Sequence, residues 1–186
     1  PEPIESVDVV QSERLTQLAR TLDLDEERFA DRVVPILGHW TAFQDWPATS
    51  ALGSDGHPHD GHFYPPIPNR RRMFAGGTVS VHGPMLAGVE TIRRSAVDSI
   101  TPKRGKTGDM VFITIRHTFE QNGTICRTEL QQIVYRSEQN SVRKTYDRTA
   151  GTVERGSEAT WSTAHTLRAP SLFRYSALTA NAHRIH

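Results

Sequence analysis

Hydrophobic positions recur along this chain with two different periods, first that of a helix and then that of a strand. In "QSERLTQLARTLDLD", Leu15, Leu18, Ala19 and Leu22 fall at helical spacing, with Arg14, Gln17 and Arg20 on the opposite side. That pattern predicts an amphipathic helix with one buried face. A second apolar stretch, "RFADRVVPILGHWTAF", contains Pro35 and Gly38 and therefore predicts a short helix broken into a loop. Trp40 and Trp46 flank that boundary, where packing in the core or under a lid is the expected use of an indole. Residues 45–69 hold no period and are rich in Pro, Gly, Asp and His. A loop of that length in a compact domain is uncommon and tends to lie over a functional site.

From there the period shortens to two. "GTVSVHGP" alternates Val79 and Val81, and "VETIRRSAVDSI" follows the turn-forming Leu86-Ala87-Gly88. The strongest signal is "DMVFITIRHTFEQNGTICRTELQQIVYR", two β-rich runs joined by Asn122-Gly123. Asn-Gly suits a type I′ turn, whose central residues both need positive φ. Phe74 to Arg136 is thus expected to be a curved antiparallel sheet. Its register is pinned because a slip of one residue would exchange buried and exposed faces. Ser137 to Ser157 turns polar and reads as a linker. "ATWSTAHTLRAPSLFRYSALT" then reads as a β-prone opening of a second unit. A helix covering long antiparallel strands defines an α+β chain.

Composition narrows the classes. Lys and Arg number 22 against 21 Asp and Glu, a formal net charge of +1, which argues against a nucleic-acid binder. Mean hydropathy is −0.52, and no apolar run approaches the roughly 20 residues needed to span a bilayer. The first residues, "PEPIESVDVV", lack an initiator Met and the pattern of a signal peptide, so a few upstream residues are expected to be missing. The single cysteine, Cys126, is expected to be a free thiol filling the core. One cysteine also suits a reducing, cytoplasmic setting.

Three stretches in order, "PPIPNRRRMFAGG", "LQQIVYR" and "FRYSALTANAHRIH", resemble the MaoC-like acyl-thioester dehydratases that carry two hot-dog units in tandem. This group includes mesaconyl-CoA hydratases and 3-hydroxyacyl-thioester dehydratases. The resemblance covers nearly the whole chain. It implies a hot-dog fold, in which a curved antiparallel sheet wraps around a helix. It further implies a first unit over residues 1–136, a linker over 137–158 and the start of a second, catalytic unit over 159–186. The family signature is an Asp followed five residues later by a His, and the matching pair here is Asn181 and His186.

Adding water to an α,β-unsaturated thioester needs a base for the water, an acid for the α-carbon and donors for the enolate oxygen. The resemblance assigns proton transfer to His186, for which an imidazole is suited near neutral pH. Asn181 cannot act as a base but can hold a water through its amide. Either His186 does most of the proton transfer, or a carboxylate beyond the chain's end assists. His183 would orient water or bind substrate, and Arg184 would pair with the carboxylate of a short dicarboxylic acyl group. Oxyanion donors would be backbone N–H groups at the N-terminus of a second central helix. For "NAHRIH" alone a polar surface tail is the simpler account; the apolar flank Leu172, Phe173, Tyr175 and Leu178 tips it towards a docked segment.

Arg70, Arg71 and Arg72 could recognise the phosphates of coenzyme A or of an acyl carrier protein. For any one of them a solvated or packed arginine is the commoner case. "HPHDGH" (His57, His59, Asp60 and His62) has metal-ligand residue types but no rigid scaffold, and a mobile polar loop is the expectation, with no metal. The resemblance implies no cofactor beyond the thioester substrate. The expected partners are an acyl-CoA or acyl-carrier-protein thioester, and a second copy or a partner chain that completes the second unit. Nucleic acid and membrane are not expected partners. Two alternatives share the fold: a non-catalytic acyl-binding or scaffolding unit, and a hot-dog thioesterase.

Overall fold

The computed structural model describes residues 2–58, 64, 67, 70–105, 108–137, 160, 166 and 168–183. A short strand, β1 (Ile4–Val9), leads into α1 (Ser12–Thr21). Two 3-10 turns follow, Glu26–Phe29 and Gly38–Thr41, then a third at Thr49–Ala51. Four long strands come next: β2 (Arg70–Val81), β3 (Glu90–Gly105), β4 (Gly108–Gln121) and β5 (Thr124–Ser137). A second helix, α2 (Ala169–Leu178), lies near the end of the chain. The strands form one sheet in the order β1-β3-β4-β5-β2, with every neighbouring pair antiparallel. Among the described residues no helix is long and apolar enough to cross a membrane.

The β4–β5 hairpin turns at Asn122-Gly123, with φ of 50° and 76°, as the dipeptide predicts. The predicted helix forms over Ser12–Thr21, and Leu15, Leu18 and Ala19 are buried. Each buried leucine contributes about 1.5–3 kcal/mol relative to an exposed one. Leu15 joins Val10, Val34, Met85, Phe119 and Cys126 in one buried cluster, and Cys126 is a free, buried thiol. Ile113, Ile115, Ile133 and Tyr135 make a second cluster.

The alternation reading does not hold throughout. The stretch from Ala169 is a helix and not a strand. Pro170 lies in its first turn, where the missing N–H costs nothing, and Leu172, Tyr175 and Leu178 recur three apart. The second apolar stretch, expected as a short helix, forms only 3-10 turns. β1 escaped the sequence reading; it adds an edge by pairing Ile4–Val9 with Ser95–Glu90 of β3. Trp46 is 71% exposed and not core. Of the linker expected over 137–158, Ser137 ends β5 and the rest lies outside the described residues, as does most of 159–168.

Between the two apolar clusters the inner face is polar. Glu129 of β5 is 2% exposed and accepts hydrogen bonds from His39 Nε2 (2.8 Å), Trp40 Nε1 (3.0 Å) and Gln131 Nε2 (2.9 Å). Arg127 donates to the carbonyls of Pro35 (2.8 Å) and Val34 and to His39 Nδ1 (3.2 Å). A guanidinium can only donate, so Nδ1 of His39 carries the lone pair and Nε2 the proton. His117 pairs through Nδ1 with Ser95 Oγ at 2.7 Å. This band fastens the turn Gly38–Thr41 to the sheet and satisfies polar groups that would otherwise be costly to bury.

Candidate active-site segment

The residues around Asn181 are set by the way α2 ends. Ala180 adopts φ of 52°, the Asn181 N–H returns to the Ser176 carbonyl at 2.9 Å and the Ala180 N–H to Ala177 at 3.4 Å. This left-handed stop satisfies the last carbonyls and throws the chain out of the helix. Gln44 holds the end from the other side, its amide donating to the Leu178 carbonyl and to Thr41 O at 3.3 Å. Ser176 and Leu178 are buried, and α2 packs on α1. Leu172 and Phe173, expected to dock, are exposed, Phe173 by 73%.

Beyond the helix, Asn181 Oδ1 accepts the His183 N–H at 3.1 Å, a local turn made by the side chain. Asn181 itself is exposed and His183 half-buried. What half-buries His183 is the tight loop of residues 52–58. There the Gly53 N–H donates to His57 O at 2.6 Å and Gly56 N–H to Gly53 O at 2.9 Å. Gly56 has φ of 86°, and a Cβ on it would lie 1.9 Å from the Ala182 carbonyl oxygen. Only a residue without a side chain allows this approach. The His57 and His183 rings then meet at 4.6 Å between centroids, tilted by 54°.

Asp55 braces His57. Its Oδ2 lies 3.1 Å from His57 Nδ1 and its Oδ1 accepts the His57 N–H at 3.0 Å. Burial raises the Asp55 carboxyl, but the hydrogen bonds from His57 outweigh it and hold the group below its ordinary value. Burial also lowers His57, against the Asp55 hydrogen bond and aided by the charges of Arg72 and His183. A carboxylate on one ring nitrogen fixes the tautomer and leaves the other nitrogen to accept a proton. Asp55, His57 and His183 each present a polar atom within 4.8 Å of the others.

The sequence-expected residues divide three ways. His183 is brought into this cluster, and Asn181, exposed, adjoins it through the His183 N–H. His186 and Arg184 lie outside the described residues, as do His59, Asp60 and His62, and Arg70 and Arg71 are described through their backbone in β2 alone. Arg72 is half-buried and packed, its guanidinium 4.7 Å over the Tyr64 ring. His57, read as part of a mobile metal-type loop, is a fixed member of the cluster. Sequence reasoning missed Asp55 and Gln44; the one available signal for Asp55 was a Gly between an acid and a histidine. Two surface hollows, of about 410 Å³ at Pro102–Val111 and about 370 Å³ between α1 and α2, include neither Asn181 nor His183.

An antiparallel sheet with this strand order, closing on a polar inner segment and leading to a histidine-bearing tail, is the hot-dog fold. A solved MaoC-like dehydratase superposes with a TM-score of 0.59 at 16% identity, covering 99% of this chain and 67% of that one. HtdX of Mycobacterium tuberculosis gives 0.53 at 8% identity, covering 100% and 64%. The chain belongs to the hydroxyacyl-thioester dehydratase type 2 family, whose model matches residues 37–186. A curated relative, mesaconyl-C(4)-CoA hydratase of Chloroflexus aurantiacus, is 40% identical over 158 residues, 84% of this chain. That alignment takes in 55% of the relative, so the chain spans about half its length.

Proposed function

We propose that this chain carries part of the active site of a hydro-lyase that adds water reversibly to an α,β-unsaturated acyl thioester. Its substrate would be a short dicarboxylic acyl-CoA of the mesaconyl type. The reaction forms a C–O bond at Cβ, moves the π pair onto Cα and the thioester oxygen, and protonates Cα. No metal or further cofactor is called for, since imidazoles can move both protons. His186 is the proton-transfer group, Asn181 holds the segment and a water, His183 orients water, and Arg184 pairs with the distal carboxylate. Arg70 and Arg71 meet the phosphates of coenzyme A or of a carrier protein. Residues 1–136 form one hot-dog unit and 159–186 open the second, which a second copy or further chain completes. The protein works in the cytoplasm.

The observation that supports this reading is the lodging of Ala182 against Gly56, which packs the His183 ring on that of His57 next to the exposed Asn181. The test is to incubate the full-length protein with mesaconyl-CoA and crotonyl-CoA. Hydration removes the enoyl absorbance with no free thiol. Thiol release would make the protein a thioesterase, and neither signal would make it an acyl-binding unit. His186→Ala should lower hydration by about two or more orders of magnitude, as loss of a proton-transfer group does. Asn181→Ala should cost less and leave substrate binding intact. An unaltered rate in His186→Ala refutes the assignment.

A further inference from the structure

A metal is not expected in the loop around His57 unless something fixes its side chains in place. The fold supplies that support from the far end of the chain. Leu52 and Pro58 pair in an isolated bridge and the Gly53 N–H donates to His57 O at 2.6 Å, so residues 52–58 close on themselves. Gly56 receives the Ala182 carbonyl oxygen, which would lie 1.9 Å from a Cβ there, and His183 follows directly. Asp55 Oδ1 accepts the His57 N–H at 3.0 Å, which leaves Oδ2 turned to His57 Nδ1 at 3.1 Å. The His57 and His183 rings stand 4.6 Å apart between centroids. Asp55, His57 and His183 are each half-buried, held by protein yet reachable from solvent.

We propose that Asp55, His57 and His183 form a binding site for a divalent transition cation of the zinc type, which ties residues 181–183 to the loop 52–58. Two imidazoles and a carboxylate are donors that zinc accepts, whereas Mg²⁺ and Ca²⁺ take oxygen ligands. The spacing fits. Tetrahedral ligands about 2.0–2.2 Å from zinc stand roughly 3.3 Å from one another, close to the 3.1 Å between Asp55 Oδ2 and His57 Nδ1. Two imidazoles on one zinc bring their ring centres to about 5 Å, against 4.6 Å here. One ligand atom from each of the three residues lies within 4.8 Å of the other two, so closing round a cation needs an approach of about 1.5 Å at most. The cation displaces to solvent the proton that Asp55 Oδ2 and His57 Nδ1 share. Asp55 Oδ1 keeps the His57 N–H, which holds the carboxylate in its orientation. The fourth position is left to water. The charge of Arg72 also reaches His57 and works against a cation there, which makes this a site of moderate affinity.

Binding is read without turnover, so its outcome is independent of the hydratase reading. The untagged full-length protein, stripped with EDTA and dialysed, is equilibrated with Zn²⁺; bound metal is counted by elemental analysis and Tm is followed. Wild type should take up one zinc that depends on these three residues, and at about a hundred times its Kd the Tm should rise by roughly 5–10 °C. His183→Gln, His57→Gln and Asp55→Asn should each weaken that binding by about 10²-fold, at least what loss of a supporting residue can cost. Their metal-free Tm should stay within a few degrees of wild type, since none of the three belongs to a core cluster. Gly56→Ala removes no ligand but parts the loop from Ala182, and should weaken binding by about 10-fold or more. Zinc held by His183→Gln as tightly as by wild type overturns the proposal. So does zinc lost instead when His59 and His62 are replaced by Gln, or Mg²⁺ raising Tm as far as Zn²⁺ does. Wild type that takes up no zinc also overturns it, whether or not it hydrates a thioester.

Discussion

Replacing Glu129 by Ala should destabilise this protein far more than loss of a surface ion pair would. The carboxylate is 2% exposed and accepts from three donors, His39 Nε2 (2.8 Å), Trp40 Nε1 (3.0 Å) and Gln131 Nε2 (2.9 Å). Removing it leaves donors buried without an acceptor, at about 1–3 kcal/mol each. Gln131 is half-buried and near the Tyr64 hydroxyl (3.4 Å), so it can find a new partner; His39, 2% exposed, cannot easily do so. The sum therefore sits at about 3–5 kcal/mol, the usual cost of stranding one member of a buried pair. For a chain of this size that lowers Tm by roughly 6–20 °C. Urea unfolding followed by tryptophan fluorescence reads the change. Glu129→Gln keeps one acceptor oxygen and should lose less. His39→Ala with Glu129→Ala should cost less than the sum of the two, since they share one hydrogen bond. The effect should reach the candidate site as well. Glu129 anchors the turn Gly38–Thr41, and Gln44, three residues on, holds the Leu178 carbonyl at the end of α2. A loss below about 1 kcal/mol, the value of an exposed pair, refutes this account of the polar band.

Acid should weaken the fold through the same band. Burial pushes His117 down to about 4 from its ordinary 6.5, opposed by the Glu129 charge and aided by Arg93 and His39. Between those values the unfolded chain binds the extra proton, so stability rises with pH across this window and is lost on acidification, by up to roughly 3 kcal/mol. Burial would raise Glu129, yet the hydrogen bonds from His39, Gln131 and Trp40 hold it below its ordinary value. Its stabilisation is present above the unfolded value and disappears as pH falls through the folded one. Urea midpoints should fall from pH 7 to pH 4 through His117 and go on falling on further acidification through Glu129; a flat series over the first range contradicts the His117 assignment, and a flat series below it contradicts that of Glu129. Gly56→Ala should release residues 181–183, because its Cβ would lie 1.9 Å from the Ala182 carbonyl and φ of 86° disfavours a side chain. Hydration should drop about 10-fold or more while Tm changes by only a few degrees; unaltered activity would show that the contact positions nothing.

The sequence alone determined the elements that depend on near neighbours. The alternation of Val111, Ile113 and Ile115 and the Asn122-Gly123 turn require a hairpin whatever else is present. The spacing of Leu15, Leu18 and Ala19 likewise requires a helix with one buried face. The order of three motifs was enough to reach the family. Tertiary structure decided what periodicity cannot carry. Arg127, Glu129 and Gln131 are polar side chains that alternation alone does not place inside, while Ile125 in the same strand is 45% exposed. Arg127 and Glu129 turn inward because residues 34–40, some ninety positions away, supply their partners. Ala169–Leu178 looked β-prone yet is helical, its end held by Gln44 from 134 residues earlier. The meeting of Asp55 and His57 with His183 has the same origin. A hydrogen bond or ring contact between distant segments leaves no period in either one, so only the fold that brings Gly56 onto Ala182 reveals it.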